Sequence, residues 1–170
     1  MLRADGESGS ARRRVELLRK MMPAAAIRRG YSADRAAVAQ LLASAGLPTA
    51  DLAIAHEFQS WVIEEKGSIL SVIGLERFGR EALLRSLAVV SEHRERGLGH
   101  KLVARLEHDA QAVGIQQLVL LTETAEAFFR RLGYAIADRS EVSDDVKQSA
   151  EFRILCPVSA VCMIKVLRDG

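Results

Sequence analysis

Between Leu83 and Val113 the hydrophobic pattern changes its period, and that change constrains the fold more than any other feature of the chain. Apolar residues fill most of Leu83 to Val90, and from Leu98 they recur at Leu102, Val103, Leu106, Ala110 and Val113. The first pattern is that of a strand buried on both sides and the second that of one helix face. The segment between them, Ser91 to Gly99, is therefore a strand-to-helix turn. Its glycines, Gly97 and Gly99, leave backbone N–H groups unobstructed at a helix N-terminus, where the dipole and the unpaired donors favour anionic oxygen. The turn reads as a phosphate-binding loop.

The spacing excludes two common phosphate loops. A dinucleotide fingerprint needs a third glycine where Leu102 stands, and a P-loop needs Gly-Lys-Ser/Thr. Arg94-x-x-Gly97-x-Gly99 after a strand instead resembles the acyl-CoA pyrophosphate loop of the GNAT superfamily of N-acetyltransferases. The segment Leu121 to Tyr134, with Phe128, Phe129 and Gly133, resembles that superfamily's Phe-Tyr-x-x-x-Gly-Phe stretch. Leu84-Arg85-Ser86-Leu87 and the tail from Ala150 to Met163 look like the acetyltransferases found beside bacterial arsenic-resistance genes.

In chain order, Ala26 to Gly30 reads as a first strand, and Ser32 as the cap of a helix to about Ala45. Thr49 opens a second short helix, Ala50 to about His56. Strands at Gln59–Glu64 and Ser68–Glu76 form a hairpin through Lys66-Gly67, and Glu81–Val90 returns across Gly79. The helix Leu98–Val113 ends at Gly114 before the apolar strand Gln117–Thr122. A strand, helix and strand in this order make a crossover, so strands four and five run parallel. Thr124 is expected to cap a helix at Ala125–Leu132, Ser143–Phe152 to be another helix, and Ser159–Val166 a closing strand left exposed, able to pair across a dimer. The fold class is α+β, close to a three-layer α/β arrangement, with one mixed central sheet. The resemblance adds that the N-terminal strands are antiparallel, strands four and five splay apart, and helices cover both faces.

The resemblance also implies an activity, acetyl transfer from acetyl-CoA to an amine, with no metal. Main-chain groups of Leu87, Ala88 and Val89 would pair with the pantetheine arm as an added strand pairs with a sheet edge. Arg94, Glu95, Arg96, Gly97, Leu98 and Gly99 would form the pyrophosphate loop, where only Arg94 and Arg96 offer charge-assisted side-chain bonds; both also suit a solvated face. The tyrosine that many relatives place in the fourth helix to protonate the leaving thiolate is here Phe129, which has no proton to give. Glu57 is the candidate general base, with Glu64, Glu65 and Glu76 beside it, and each also reads as a surface carboxylate. Arg85 is a permanent charge in mid-strand, costly unless paired or facing a cleft. It is the candidate for binding a substrate carboxylate, with pairing to a structural glutamate weighed equally.

The chain has 170 residues, 49% of them apolar, and a formal net charge of +2. That suits a single domain, expected at residues 26–170 behind a polar, basic leader at 1–25, and gives no general case for nucleic acid or membrane binding. No apolar run approaches a bilayer span, so a cytoplasmic monomer or homodimer is expected. Cys156 and Cys162 fit no zinc or Cys-x-x-Cys spacing and are expected as reduced thiols. Two other classes stay open: a CoA-binding regulatory domain without catalysis, favoured by the missing tyrosine, and a modifier of polypeptide amines that uses the basic leader. A chain begun at Met22 is expected to melt at the same temperature and turn over at the same rate as the full chain, because the leader lacks the periodicity to dock. A large fall in melting temperature would make the leader part of the domain.

Overall fold

Alternating apolar strands joined by tight turns build one sheet. The computed structural model describes residues 25–50, 52 and 58–167, so the leader, the helix expected at Ala50–His56 and the candidate base Glu57 fall outside the described residues, wholly or nearly so. The strands are β1 (Ala26–Arg29), β2 (Phe58–Glu65), β3 (Ser68–Phe78), β4 (Glu81–Val89), β5 (Gln117–Thr122), β6 (Ala135–Ile136) and β7 (Val161–Val166). They form a seven-stranded sheet in the order β1-β2-β3-β4-β5-β7-β6. Every neighbouring pair is antiparallel except β4 and β5. The closing strand is therefore not exposed: β7 lies between β5 and β6, because the apolar segment Val161–Ile164 supplies both of its edges to the sheet.

The helices are α1 (Arg35–Ser44), α2 (Leu98–Ala112), α3 (Glu126–Arg131) and α4 (Asp144–Lys147). The predicted stripe of α2 is buried at Leu98, Leu102, Val103, Leu106 and Ala110. Val113 is not part of it: the helix ends one residue earlier and Val113 is 54% exposed. Two capping expectations and one helix length are also corrected. At the start of α1 the Asp34 carboxylate accepts the Tyr31 N–H at 2.7 Å, so Asp34 rather than Ser32 ties the entry turn. Thr122, not Thr124, caps the fourth-helix segment by accepting the Ala125 N–H at 2.9 Å. The helix expected at Ser143–Phe152 is broken into α4, capped by Ser143, and a wider π-turn at Glu151–Leu155. Cys156, before Pro157, is extended at φ −99°, ψ 134°, as a residue preceding proline favours.

The sheet buries both faces. On one, α2 and α3 cover Trp61, Ile73, Leu75, Leu84, Leu118 and Leu120. On the other, α1 packs Val38, Leu41 and Leu42 on Val62, Val72 and Ala88, while Val142, Val146 and Phe152 pack on Leu83, Val119 and Cys162. These second-face clusters are separate, and Arg85 lies on β4 between Leu83 and Ala88.

A polar clamp closes the far end of α2. Glu107 accepts from Lys165 Nζ at 2.8 Å and from the Tyr134 hydroxyl at 2.9 Å, and Lys165 also donates to the Leu132 carbonyl at 2.8 Å. Burial, reinforced by the neighbouring Glu107 carboxylate, pushes the Tyr134 phenol well above its ordinary range, so it keeps its proton. Glu107→Ala strands a buried phenol and a half-buried ammonium, which costs about 1–3 kcal/mol. The expected fall in melting temperature is about 2–10 °C, with a smaller fall for Glu107→Gln; calorimetry showing none for Glu107→Ala would mean that water screens the clamp.

Candidate active site

The register of β4 against β5 runs only from Glu81 opposite Gln117 to Leu83 opposite Val119. Beyond Leu83 the two strands part, and β5 continues to Thr122 paired with β7. One edge of β4, from Leu84 to Val89, is thereby open to a ligand that can pair with backbone. Leu87, Ala88 and Val89 lie on this open stretch.

Within it the strand is deformed. β3 pairs Val72 with Ala88 and Gly74 with Arg85, so Ile73 alone faces Ser86 and Leu87. That is a β-bulge, and Ser86 adopts φ 58°, rare for a residue with a side chain. The extra residue resets the alternation: Leu84, Leu87 and Val89 all face the α2 side, whereas Leu83, Arg85 and Ala88 face the other. The apolar run in the sequence hides this feature, because a strand buried on both sides has no alternation for the bulge to break.

At the lower end of the opening the chain makes a 3₁₀ turn at Ser91–His93, passes Glu95 at φ 67° and enters α2 through Gly97 at φ 74°. Such values at Gly97 suit glycine alone among residues without a special local bond. The first i to i−4 bond of α2 runs from Lys101 N–H to Gly97 O, so the N–H groups of Leu98, Gly99 and His100 point out of the helix end. A Cβ on Gly99 would lie 3.4 Å from the Phe128 ring and 3.9 Å from Val89. Phe128, the first aromatic of the Phe128-Phe129 stretch, thus walls the turn. Arg94 is exposed, with Nε 3.4 Å from the Val89 carbonyl, and Arg96 Nη2 is 3.4 Å from Glu65.

The acid–base candidates are scattered. Glu64 pairs with Arg28 at 2.6 Å and Glu65 with Arg96. Phe129 is 4% exposed, edge-on to Phe128 and Tyr134 in the core. Glu76 and Arg85 are both buried, 3.5 Å apart, and Arg85 Nη2 lies 3.1 Å from Glu151, which the sequence reading overlooked. The guanidinium therefore has structural carboxylates around it, the alternative weighed against a substrate contact. The Phe58 ring lies 5.8 Å from it. Cys156 donates to Glu151 at 2.7 Å, and burial with that bond pushes its thiol up to about 12. Burial also raises the Cys162 thiol, so neither offers a thiolate at neutral pH. Among the described residues no group of three His, Cys, Asp or Glu side chains is placed to hold a metal ion, and no helix is long and apolar enough to cross a membrane.

Residues 56–136 match the family model described as an acetyltransferase (GNAT) domain. An uncharacterized N-acetyltransferase of Chlorobaculum tepidum is 32% identical over 82 residues, which are 48% of this chain and 52% of that one. The chain thus spans about half the length of that curated relative. Among solved structures, Rv2747 of Mycobacterium tuberculosis in complex with CoA superposes with a TM-score of 0.70 at 26% identity, over 84% of this chain and 99% of that one. N-acetylglutamate synthase of Neisseria gonorrhoeae, complexed with coenzyme A and N-acetylglutamate, gives 0.72 at 20% identity, over 86% of this chain and 36% of that one. The mixed sheet with its single parallel pair is the GNAT fold.

The bulge is testable by itself. A left-handed residue with a side chain costs roughly 1–2 kcal/mol, so Ser86→Gly is expected to melt at or above the parent temperature. Ser86→Val, branched at Cβ, is expected to melt several degrees lower. Equal melting temperatures for the two variants would mean that β4 is regular in solution.

Proposed function

We propose that this fold works as an acetyl-CoA-dependent N-acetyltransferase on a small amine that carries a carboxylate in the manner of an amino acid. The observation that carries the reading is the succession of the open β4 edge, its bulge and the turn into α2. The turn supplies N–H donors of Leu98 and Gly99, with Arg94 and Arg96 beside them, for a pyrophosphate. The strand edge at Leu87, Ala88 and Val89 supplies main-chain partners for the pantetheine amides. Phe128 and Val89 lie against Gly99 on one side of the turn. The N-acetyltransferase relative and the CoA-bound neighbours support the same reading.

In the reaction so proposed, a neutral amine attacks the thioester carbon. A C–N bond forms, an N–H group of β4 near Val89 stabilises the oxyanion, and the C–S bond breaks as the intermediate collapses. The amine's proton passes to a carboxylate or through water. Glu57 keeps the role of candidate base, and Glu76 is the buried alternative among the described residues. Phe129 has no proton to donate and the Tyr134 proton is held against Glu107, so the thiolate leaves as such or takes a proton from water. Arg85 is proposed to meet the acceptor's carboxylate. The resemblance at Leu84–Leu87 and Ala150–Met163 extends the proposal to arsenic-bearing amino acids and a part in arsenic resistance.

Thiol release from acetyl-CoA with a panel of amines and amino acids tests the activity; binding of CoA with no thiol release from any of them would make the protein regulatory instead. Gly99→Glu tests the turn. Its Cβ fits at ordinary contact distance, and its carboxylate would stand where phosphate is proposed, against the helix dipole. The folded variant is expected to bind acetyl-CoA at least about tenfold more weakly by calorimetry. Unchanged affinity would remove the turn from the site.

A further inference from the structure

The Arg85 guanidinium is only 4% exposed, yet it sits on the open half of β4, one residue before the bulge. A cation there requires an anion, and the described anions differ in how firmly they are built. Glu76 belongs to β3, in the middle of the sheet, 3.5 Å away. Glu151 comes from the π-turn, whose closing main-chain bond is Cys156 N–H to Glu151 O at 3.0 Å. Phe152 is the apolar anchor of that turn, packed on the second face of the sheet; beyond it the segment buries little apolar surface, Ile154 being 76% exposed and Val158 92%. Swinging the Glu151 side chain aside while Phe152 stays seated therefore forfeits little hydrophobic contact.

We infer that Glu151 is an internal carboxylate seated on Arg85, which a small carboxylate-bearing molecule enters the site by displacing. The exchange is one anion for another, so the charge around Arg85 is unchanged while Glu76 stays in place. Glu151 does not leave bare, because its Oε2 accepts a hydrogen bond from the Cys156 thiol at 2.7 Å and both residues ride on the same turn. The identity of the visitor as the acetyl acceptor rests on the function proposed above; the exchange itself rests on these side chains alone.

The test is carboxylate rescue of Glu151→Gln, which keeps the shape and removes the charge. In chloride the variant is expected to melt below the parent protein, since Arg85 has lost a counter-ion. Replacing chloride by acetate or glutarate at equal ionic strength is expected to raise the variant's melting temperature by about 2–4 °C or more, and the parent's by less than half as much. The KM for a carboxylate-bearing amine is expected to fall several-fold in the variant, with the KM for acetyl-CoA unchanged. Should Glu151→Gln not accumulate as folded protein, Glu151→Asp, one methylene short of the guanidinium, carries the same expectation. Equal responses of parent and variant to carboxylate, or none in the variant, would overturn the inference. Rescue in a protein that releases no thiol with any amine would sink the transferase reading and leave the exchange site standing; normal thiol release without rescue would do the reverse.

Discussion

The parting of β4 from β5 after Leu83 is the constraint on which the rest of the molecule depends. A buried strand edge without partners is costly, since each backbone N–H and C=O needs a hydrogen bond. The chain tolerates it at Leu84–Val89 because β3 holds the other edge of β4 and because β5 is held along its length by β7. The bulge at Ser86 bends the strand where the support on one side ends. Helix α2 then returns from the lower end of the opening and covers the sheet with Leu98, Leu102 and Leu106. The opening is thus framed by rigid elements on three sides.

The frame was largely legible from sequence. The period change around the turn located β4 and α2, and the crossover rule gave the parallel pair. What escaped was whatever depends on contacts between distant segments. The bulge left no trace, because the run through Leu83–Val90 is apolar on both faces. The place of β7 escaped because an apolar segment at the end of the described sheet looks the same whether it takes an edge or an interior position. Glu151 escaped because a glutamate in a predicted helix reads as solvated; only the π-turn brings it inward. Arg85 was singled out as a permanent charge in the middle of an apolar strand, and the sequence had no means of telling a resident carboxylate from a visiting one.

The second face of the sheet shows why the polar group persists. Leu83 and Ala88 each join an apolar cluster, and the residue between them on the same face is a cation. A buried ion group of this kind adds little net stability over well-packed apolar side chains. In the function proposed above, its use is to receive a carboxylate rather than to hold the fold. On the opposite face the Glu107 clamp is of another sort, tying α2 to the far strands away from the turn, where a firm anchor keeps the helix N-terminus in place.

The interior position of β7 has a consequence for how the chain matures. On a ribosome the strands β1 to β5 emerge and can pair in order, but β6 emerges before the strand that must separate it from β5. Until Val161–Val166 is released, β6 has no partner and β5 presents its outer edge, an apolar template for other chains. The sheet is therefore completed only after synthesis of its latest strand, and the interval before that is when the nascent protein is most exposed to misassembly and most in need of a chaperone.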